Sequence, residues 1–324
     1  MYKYIGIDIS KQTFDVYSLN EKGESLVLSF ANNKKGFSKL VSRYGKTGIY
    51  VMEATGPYYV QLATYLYEKQ IKVSVVNPLI IKRFSQMQLS RAKTDKKDAQ
   101  MIYQYAKIND YKLWEPEPDE IKDMQQIISA IELLNKQKSS VTNQLNSFID
   151  SGFISKETKK TLNQILKKIK KSILKLEKQL ENIVEENFKE TKELLESIPG
   201  IGPKASSKLI AITNNFEKFE NYKQLIAYVG LSPRIYSSGT SVKGKGHICK
   251  MGKSSIRKQM YICSWSAKFY NKACVELYTR LKEKGKPERV IKIAIANKLL
   301  KQAFAVVKNK RMYDENYVSK FVAA

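Results

Sequence analysis

The spacing of apolar positions changes twice along the chain and divides it into three parts. Tyr4–Ile9 is a short apolar run, and Thr13–Leu19 alternates, with Phe14, Val16 and Tyr17 set among polar residues. Glu24–Phe30 continues the alternation beyond a turn at Gly23, which predicts a three-stranded meander. Helical spacing follows at Lys34–Tyr44 through Phe37, Leu40 and Val41. Gly48–Met52 reads as a buried strand, Tyr58–Lys69 as a helix, and Val73–Val76 as a strand closed by Asn77-Pro78. Helices are predicted from Leu79 and again over Asp95–Ala106. Strands alternating with helices imply a mixed sheet covered by helices, an α/β domain.

From about residue 119 to 192 the period is that of long helices. Leu162, Leu166, Ile169, Ile173, Leu176, Leu180 and Ile183 are spaced 4, 3, 4, 3, 4, 3. Ile127, Ile131, Leu134, Val141, Leu145 and Phe148 keep the same rhythm, interrupted by Lys138. Gly152 is the only glycine of this stretch and there is no proline, so two heptad helices meet near Asp150-Ser151-Gly152. They form an antiparallel coiled-coil hairpin, a dimerisation arm, or a helical linker packed on its own protein. The third part, from about 194, is mostly helical, with patterns at Ser255–Tyr270, Cys274–Lys284 and Arg289–Lys308.

Charge narrows the partner. The 324 residues carry 57 Lys+Arg against 31 Asp+Glu, a formal net charge of +26, while 43% hydrophobic residues suffice for packed cores. A disordered basic tail is excluded. An acidic polymer is implied, because each cation set against a phosphate releases a counterion. A membrane surface fits less well, since neither end carries a strong amphipathic Lys/Trp helix, and no apolar run approaches the ~18 residues of a span. The start has no signal-peptide layout. Three cysteines, Cys249, Cys263 and Cys274, form no C-x-x-C pair, which disfavours disulfides and a cysteine zinc site and fits a reducing cytoplasm. One histidine, His247, leaves little room for Ser-His-Asp, H-E-x-x-H or His-Asn-His chemistry. Acid–base and metal chemistry would therefore run on carboxylates.

Four carboxylates stand out. Asp8 ends the first strand in Ile-Gly-Ile-Asp-Ile-Ser, and Glu53 ends a later one in Met-Glu-Ala-Thr-Gly-Pro. Asp95 and Asp98 open a helix in Lys-Thr-Asp-Lys-Lys-Asp-Ala, on one face by their i, i+3 spacing. Strand-end acids facing a helix-borne pair would make an oxygen cage for two hard cations about 4 Å apart, the arrangement used in phosphoryl transfer. Each acid also has a plain explanation: a polar strand cap, or a helix N-terminal acid favoured by the dipole.

These three motifs resemble those of a RuvC-like DEDD nuclease domain and, more closely, those of transposases of the insertion-sequence one-ten family; none of the four positions departs from that pattern. Ile-Gly-Ile-Asp-Ile-Ser also resembles the first phosphate loop of actin-like and sugar-kinase folds, whose other glycine-rich motifs are missing here. The family resemblance implies a RuvC/ribonuclease-H-like domain at 1–110, a coiled-coil arm at 111–192 and a C-terminal transposase domain at 193–324. It also implies Mg2+ (two ions, with Mn2+ as an alternative) on Asp8, Glu53, Asp95 and Asp98.

Two segments of the third part bear on nucleic acid. Ile198-Pro-Gly-Ile-Gly-Pro203, between helices, resembles a helix-hairpin-helix turn, whose glycines let backbone approach a phosphate; a tight helix–helix turn is the plainer reading. Lys204 follows it. The segment from Gly230 to Lys253 is glycine-rich, basic and hydroxyl-rich, and it imitates a P-loop. Five residues separate Gly246 from Gly252 where four are needed, so ATP binding is rejected. This segment is similar to the family's C-terminal serine motif, which implies Ser238 as nucleophile through a phosphoserine link to DNA; Ser237 and Ser241 are close alternatives, as is a loop that merely binds phosphate. Arg234, Lys243, Lys245, Lys250, Lys253, Arg257 and Lys258 surround it as candidate phosphate contacts, which position rather than specify. Lys156–Lys178, with nine Lys and two Glu, is a solvated face or a second phosphate track. Most of the 20 tyrosines read as cover for core edges, although some could stack unpaired bases.

The family further implies donor and target double-stranded DNA, a bridge RNA that pairs with both, a composite site in a homodimer or tetramer, and a bacterial cytoplasmic, nucleoid-associated enzyme. The rival readings are a RuvC-like junction endonuclease using metal-activated water and a non-enzymatic nucleic-acid scaffold.

Overall fold

The computed structural model describes residues 3–20, 22–88, 94–234, 237–238, 242–243 and 247–316, with backbone alone at Asp95, Ser237, Ser238, Val242 and Lys243. Ser241 and Lys245 lie outside the described residues. The chain divides into two compact units, Met1–Pro116 and Glu117–Ala324.

In the first unit, β1 (Tyr4–Ile9), β2 (Thr13–Leu19) and β3 (Ser25–Ala31) form the antiparallel meander. Next come α1 (Lys34–Tyr44), β4 (Ile49–Glu53), α2 (Tyr59–Glu68), β5 (Val73–Val76), α3 (Pro78–Met87) and α4 (Asp95–Ile108). The mixed sheet has the order β3-β2-β1-β4-β5, with β4 parallel to both β1 and β5. Alternation sorts its faces. Ile5, Ile7, Ile9, Phe14, Val16, Tyr50 and Met52 bury against Phe37 and Leu40 of α1 and Leu62 and Leu66 of α2. Val51 and Val76 bury on the other face, with Ile81 of α3 and Ile102 and Ala106 of α4. The helix starts are capped locally: Asn33, Asn77 and Thr94 each accept a backbone N–H from the first turn of α1, α3 and α4.

The second unit begins with α5 (Asp119–Asp150) and α6 (Lys156–Asn187), each 32 residues long, packed on each other through a short turn at Gly152. The heptad positions of α6 are half-buried or buried, Ile169 and Ile173 most fully, so the periodicity marks the packed stripe. The ends of this pair are built into the C-terminal helices. Ile121, Met124, Ile128 and Val184 share one core with Leu195, Leu209, Phe216, Met260, Ile295 and Leu299. After α7 (Lys189–Glu196), α8 (Pro203–Thr213) and α9 (Tyr222–Val229) come four two-residue strands, β6 (Pro233–Arg234), β7 (Ser237–Ser238), β8 (Val242–Lys243) and β9 (His247–Ile248). Helices α10 (Ser254–Tyr270), α11 (Lys272–Glu283) and α12 (Glu288–Asn309) close the unit.

The turn between α7 and α8 uses its glycines for packing. Gly200 has φ +106°, and a Cβ there would stand 2.7 Å from the Ala267 Cβ of α10. The fully buried Asn271 side chain donates to the Pro199 carbonyl and to Gln302, and accepts from the Tyr313 hydroxyl. Gly200 therefore serves close contact with α10, a use that its motif does not signal, while a Cβ at Gly202 would meet nothing within 4 Å.

Candidate functional site

The sheet brings two of the four acids to one edge. Ile7 is registered with Met52 on the parallel pair β1/β4, and the next residues along are Asp8 and Glu53. Both side chains are half-buried, and Thr55 donates to Glu53 Oε1 at 3.1 Å. The alternation that turns Ile7 and Met52 into one core places Asp8 and Glu53 on the opposite face, which α3 and α4 cover.

A glycine lets α4 lie over those strands. A Cβ at Gly6 would stand 2.4 Å from the Ala99 carbonyl oxygen and 2.5 Å from the Tyr103 nitrogen, so no larger residue fits beneath the helix. Tyr103, one turn beyond Ala99, sets its ring against Tyr4 and Tyr17, with centroids at 6.5 and 5.2 Å. The later turns of α4 thus lie toward Tyr4, and its first turn, with Asp95 and Asp98, runs toward the Asp8 end. Thr94 fixes that turn by accepting from the Lys97 N–H, and Asp98 is half-buried. Among the described residues no three His, Cys, Asp or Glu side chains stand close enough to ligate one metal ion. The donor set is all carboxylate, which suits a hard cation such as Mg2+ or Mn2+.

One further acid shares this face. Asp15 on β2 is in register with Asp8 and is half-buried. Its signal in the sequence is only the two-residue period of Thr13–Leu19, because which residue of β1 it meets depends on hairpin register.

The serine segment is a pair of nested antiparallel ladders. Pro233 pairs with Ile248 and Arg234 with His247; further in, Ser237 pairs with Lys243 and Ser238 with Val242. Its base is clamped by backbone contacts. Lys250 N–H donates to Gly230 O at 3.2 Å, Lys253 N–H to Tyr228 O at 3.1 Å, and Cys249 N–H to Ser232 O at 2.9 Å. Gly252 has φ +136° and a Cβ there would lie 2.1 Å from Tyr228 O, so this glycine of the P-loop imitation serves backbone packing.

The candidate phosphate contacts divide by what already holds them. Arg257 is half-buried and donates from Nη1 to the Val229 carbonyl at 2.9 Å, where it helps close α9. Lys204 pairs with Glu177 at 2.6 Å. Arg234, Lys250, Lys253 and Lys258 are exposed. Burial pushes the Cys263 thiol up, and burial pushes the Cys274 thiol up to about 12, so neither is a ready nucleophile. Among the described residues no helix is long and apolar enough to cross a membrane.

Comparison with known proteins covers both units. Residues 5–154 match a transposase family model of the DEDD, IS110 type, and residues 192–279 match the model of the transposase IS116/IS110/IS902 family. A pilin gene-inverting protein of Moraxella lacunata is 30% identical over 96% of this chain and 98% of its own length. Its counterpart from Moraxella bovis is also 30% identical, over 96% and 98%. The transposase for insertion sequence element IS1111A of Coxiella burnetii is 23% identical over 79% of this chain and 75% of its own.

Proposed function

The chain belongs to the IS110 family of transposases, enzymes that act on DNA, and from that premise we propose that it cuts and rejoins strands with the carboxylate edge of the first unit and the serine of the second. Asp8, Glu53, Asp95 and Asp98 would hold Mg2+ or Mn2+. When bound, such ions polarise the scissile phosphate and stabilise charge on the attacking and leaving oxygens.

Ser238 Oγ attacks the phosphorus; the Oγ–P bond forms, the P–O bond to one strand end breaks, and the serine's proton ends on the departing oxygen, which leaves as a hydroxyl. Attack by a hydroxyl of another strand on the phosphoserine re-forms a phosphodiester and frees the serine. The exposed Arg234, Lys250 and Lys253, with Lys243 and Lys245, hold the strand through its phosphates, as does Lys204 when it exchanges Glu177 for phosphate. The observation that carries the reading is the pairing of Asp8 and Glu53 at one strand edge, with the first turn of α4 running toward them over Gly6.

Rejoining is favoured over simple hydrolysis by the relatives named for inverting a gene, since an inversion must reseal what it cuts. Sequence choice is assigned to a bridge RNA paired with donor and target duplexes, which the +26 surplus supports, and the working form to a homodimer or tetramer with composite sites. The test is Ser238→Ala with labelled donor and target DNA, bridge RNA and Mg2+. The proposal expects loss of the covalent protein–DNA adduct and of strand exchange. Unchanged cleavage by Ser238→Ala would establish a water-using endonuclease instead, and DNA processing left intact by Asp8→Asn and Glu53→Gln with Mg2+ present would establish a scaffold. A discrete RNA that co-purifies with the protein supports guidance; its absence counts against it.

A further inference from the structure

The outer face of α10 breaks the pattern of the second unit. Its inner face buries Ile256, Met260, Cys263 and Ala267. The opposite stripe, which begins at Lys258, carries Ile262, Trp265 and Phe269 at 51, 56 and 67% exposure. Large apolar groups at i, i+3 and i+7 form a continuous solvent-facing strip, and contiguous exposed apolar surface marks an interaction site more often than scattered residues do. Cations frame the strip. Lys292 Nζ lies 4.4 Å from the Trp265 ring centroid, and Lys268 Nζ lies 4.7 Å from that of Phe269. The nearby acid is already engaged: Glu288 accepts from Lys268 at 3.0 Å and pairs with Lys292 at 3.4 Å.

We propose that this face is a stacking platform for an unpaired nucleic-acid strand, with bases on Trp265 and Phe269, and phosphates on the exposed Lys258 and on Lys268 and Lys292 as they exchange Glu288 for phosphate. Rings between lysines match the alternating apolar and anionic character of a single strand. Stacking on aromatic side chains holds an unpaired strand whatever its sequence, because every base offers a π-face. A second copy docked by the same face is the competing occupant, and sedimentation separates it from a strand. The inference goes beyond the catalytic reading, because it requires neither the carboxylates nor Ser238.

The chain has two tryptophans, Trp114 and Trp265, so indole fluorescence reports the platform directly. Wild type, Trp114→Phe and Trp265→Phe are titrated with oligothymidylate, oligouridylate and a duplex of equal length, at low and high salt. The expected result is saturable quenching by at least one unpaired strand in wild type and in Trp114→Phe, and its loss in Trp265→Phe. Subtracting the Trp265→Phe signal from that of wild type gives the same quantity should Trp114→Phe fail to fold. Whichever oligomer quenches names the source, DNA or RNA. Trp265→Ala with Phe269→Ala should weaken strand affinity at least about fivefold, while Trp265→Phe, which keeps a ring, retains most of it. Quenching by neither strand overturns the proposal. So does unchanged affinity of the double variant accompanied by a drop in self-association on sedimentation, which would make the face a protein interface. Asp8→Asn should quench normally, so failure of the platform and failure of the catalytic reading are read separately.

Discussion

The carboxylate edge and the serine segment are built in contrasting ways. Asp8 and Glu53 sit at the ends of two parallel strands whose register is set by a buried sheet, and α4 reaches them over a single glycine. Among the described residues the serine segment is four two-residue strands clamped at their base, and the described cations around it are mostly exposed. The contrast fits the work proposed for each. A cation cage tolerates little error in where its oxygens stand, so its ligands belong on rigid elements. Phosphate contacts are made by long side chains that adjust to the strand and share the load, so their anchoring can be looser.

The largest test of that contrast is removal of one charge from each side. Asp8→Asn or Glu53→Gln should lower strand cleavage more than about 100-fold, beyond the loss typical of outer partners of metal ligands, with the circular dichroism melt unchanged. Lys250→Ala or Lys253→Ala should instead weaken DNA binding uniformly across sequences and lower the salt slope by about one. If a single lysine costs as much cleavage as Asp8, the contrast fails.

Glycines test the scaffolds. Gly6→Ala should destabilise by about 1–3 kcal/mol and impair cleavage although it removes no functional group, because α4 must lift from β1. Gly252→Ala should act alike on the serine segment through its clash with Tyr228 O. Gly202→Ala, whose Cβ meets nothing, should cost under about 1 kcal/mol, the scale of a helix-start preference. Thermal melts of the three variants rank them.

The smallest effect concerns the thiols. Cys249 should react with a thiol reagent well before the buried Cys263 and Cys274. Cys274 is raised from 9.0 to about 12, so the stability gained by keeping it protonated is full below 9 and declines as pH rises toward 12. Equal alkylation rates at neutral pH would contradict its burial.

Most elements are legible in the sequence, and their ends differ by one or two residues: β4 runs Ile49–Glu53 where the pattern predicts Gly48–Met52, and α4 extends to Ile108 past Ala106. Those shifts reflect caps and strand partners that a local pattern does not contain. The four acids are legible because each ends or begins an element that the pattern already defines. Asp15 is not, since nothing local says that it faces Asp8. Gly200 and Gly252 suggest phosphate approach and a P-loop imitation by their motifs, whereas each admits a neighbouring backbone or methyl group from a distant segment.

Sequence alone determined the periods, and with them the sheet strands, the long helices, the basic surplus and the candidate acids, because hydrophobic period and charge are properties of neighbouring residues. Tertiary structure decided that Asp8 and Glu53 share an edge, that α4 passes over Gly6, that the ends of the helical pair join the C-terminal core, and that one side of α10 stays open to solvent. Those outcomes depend on register and close approach between segments far apart in the chain, and short-range periodicity carries no information about either.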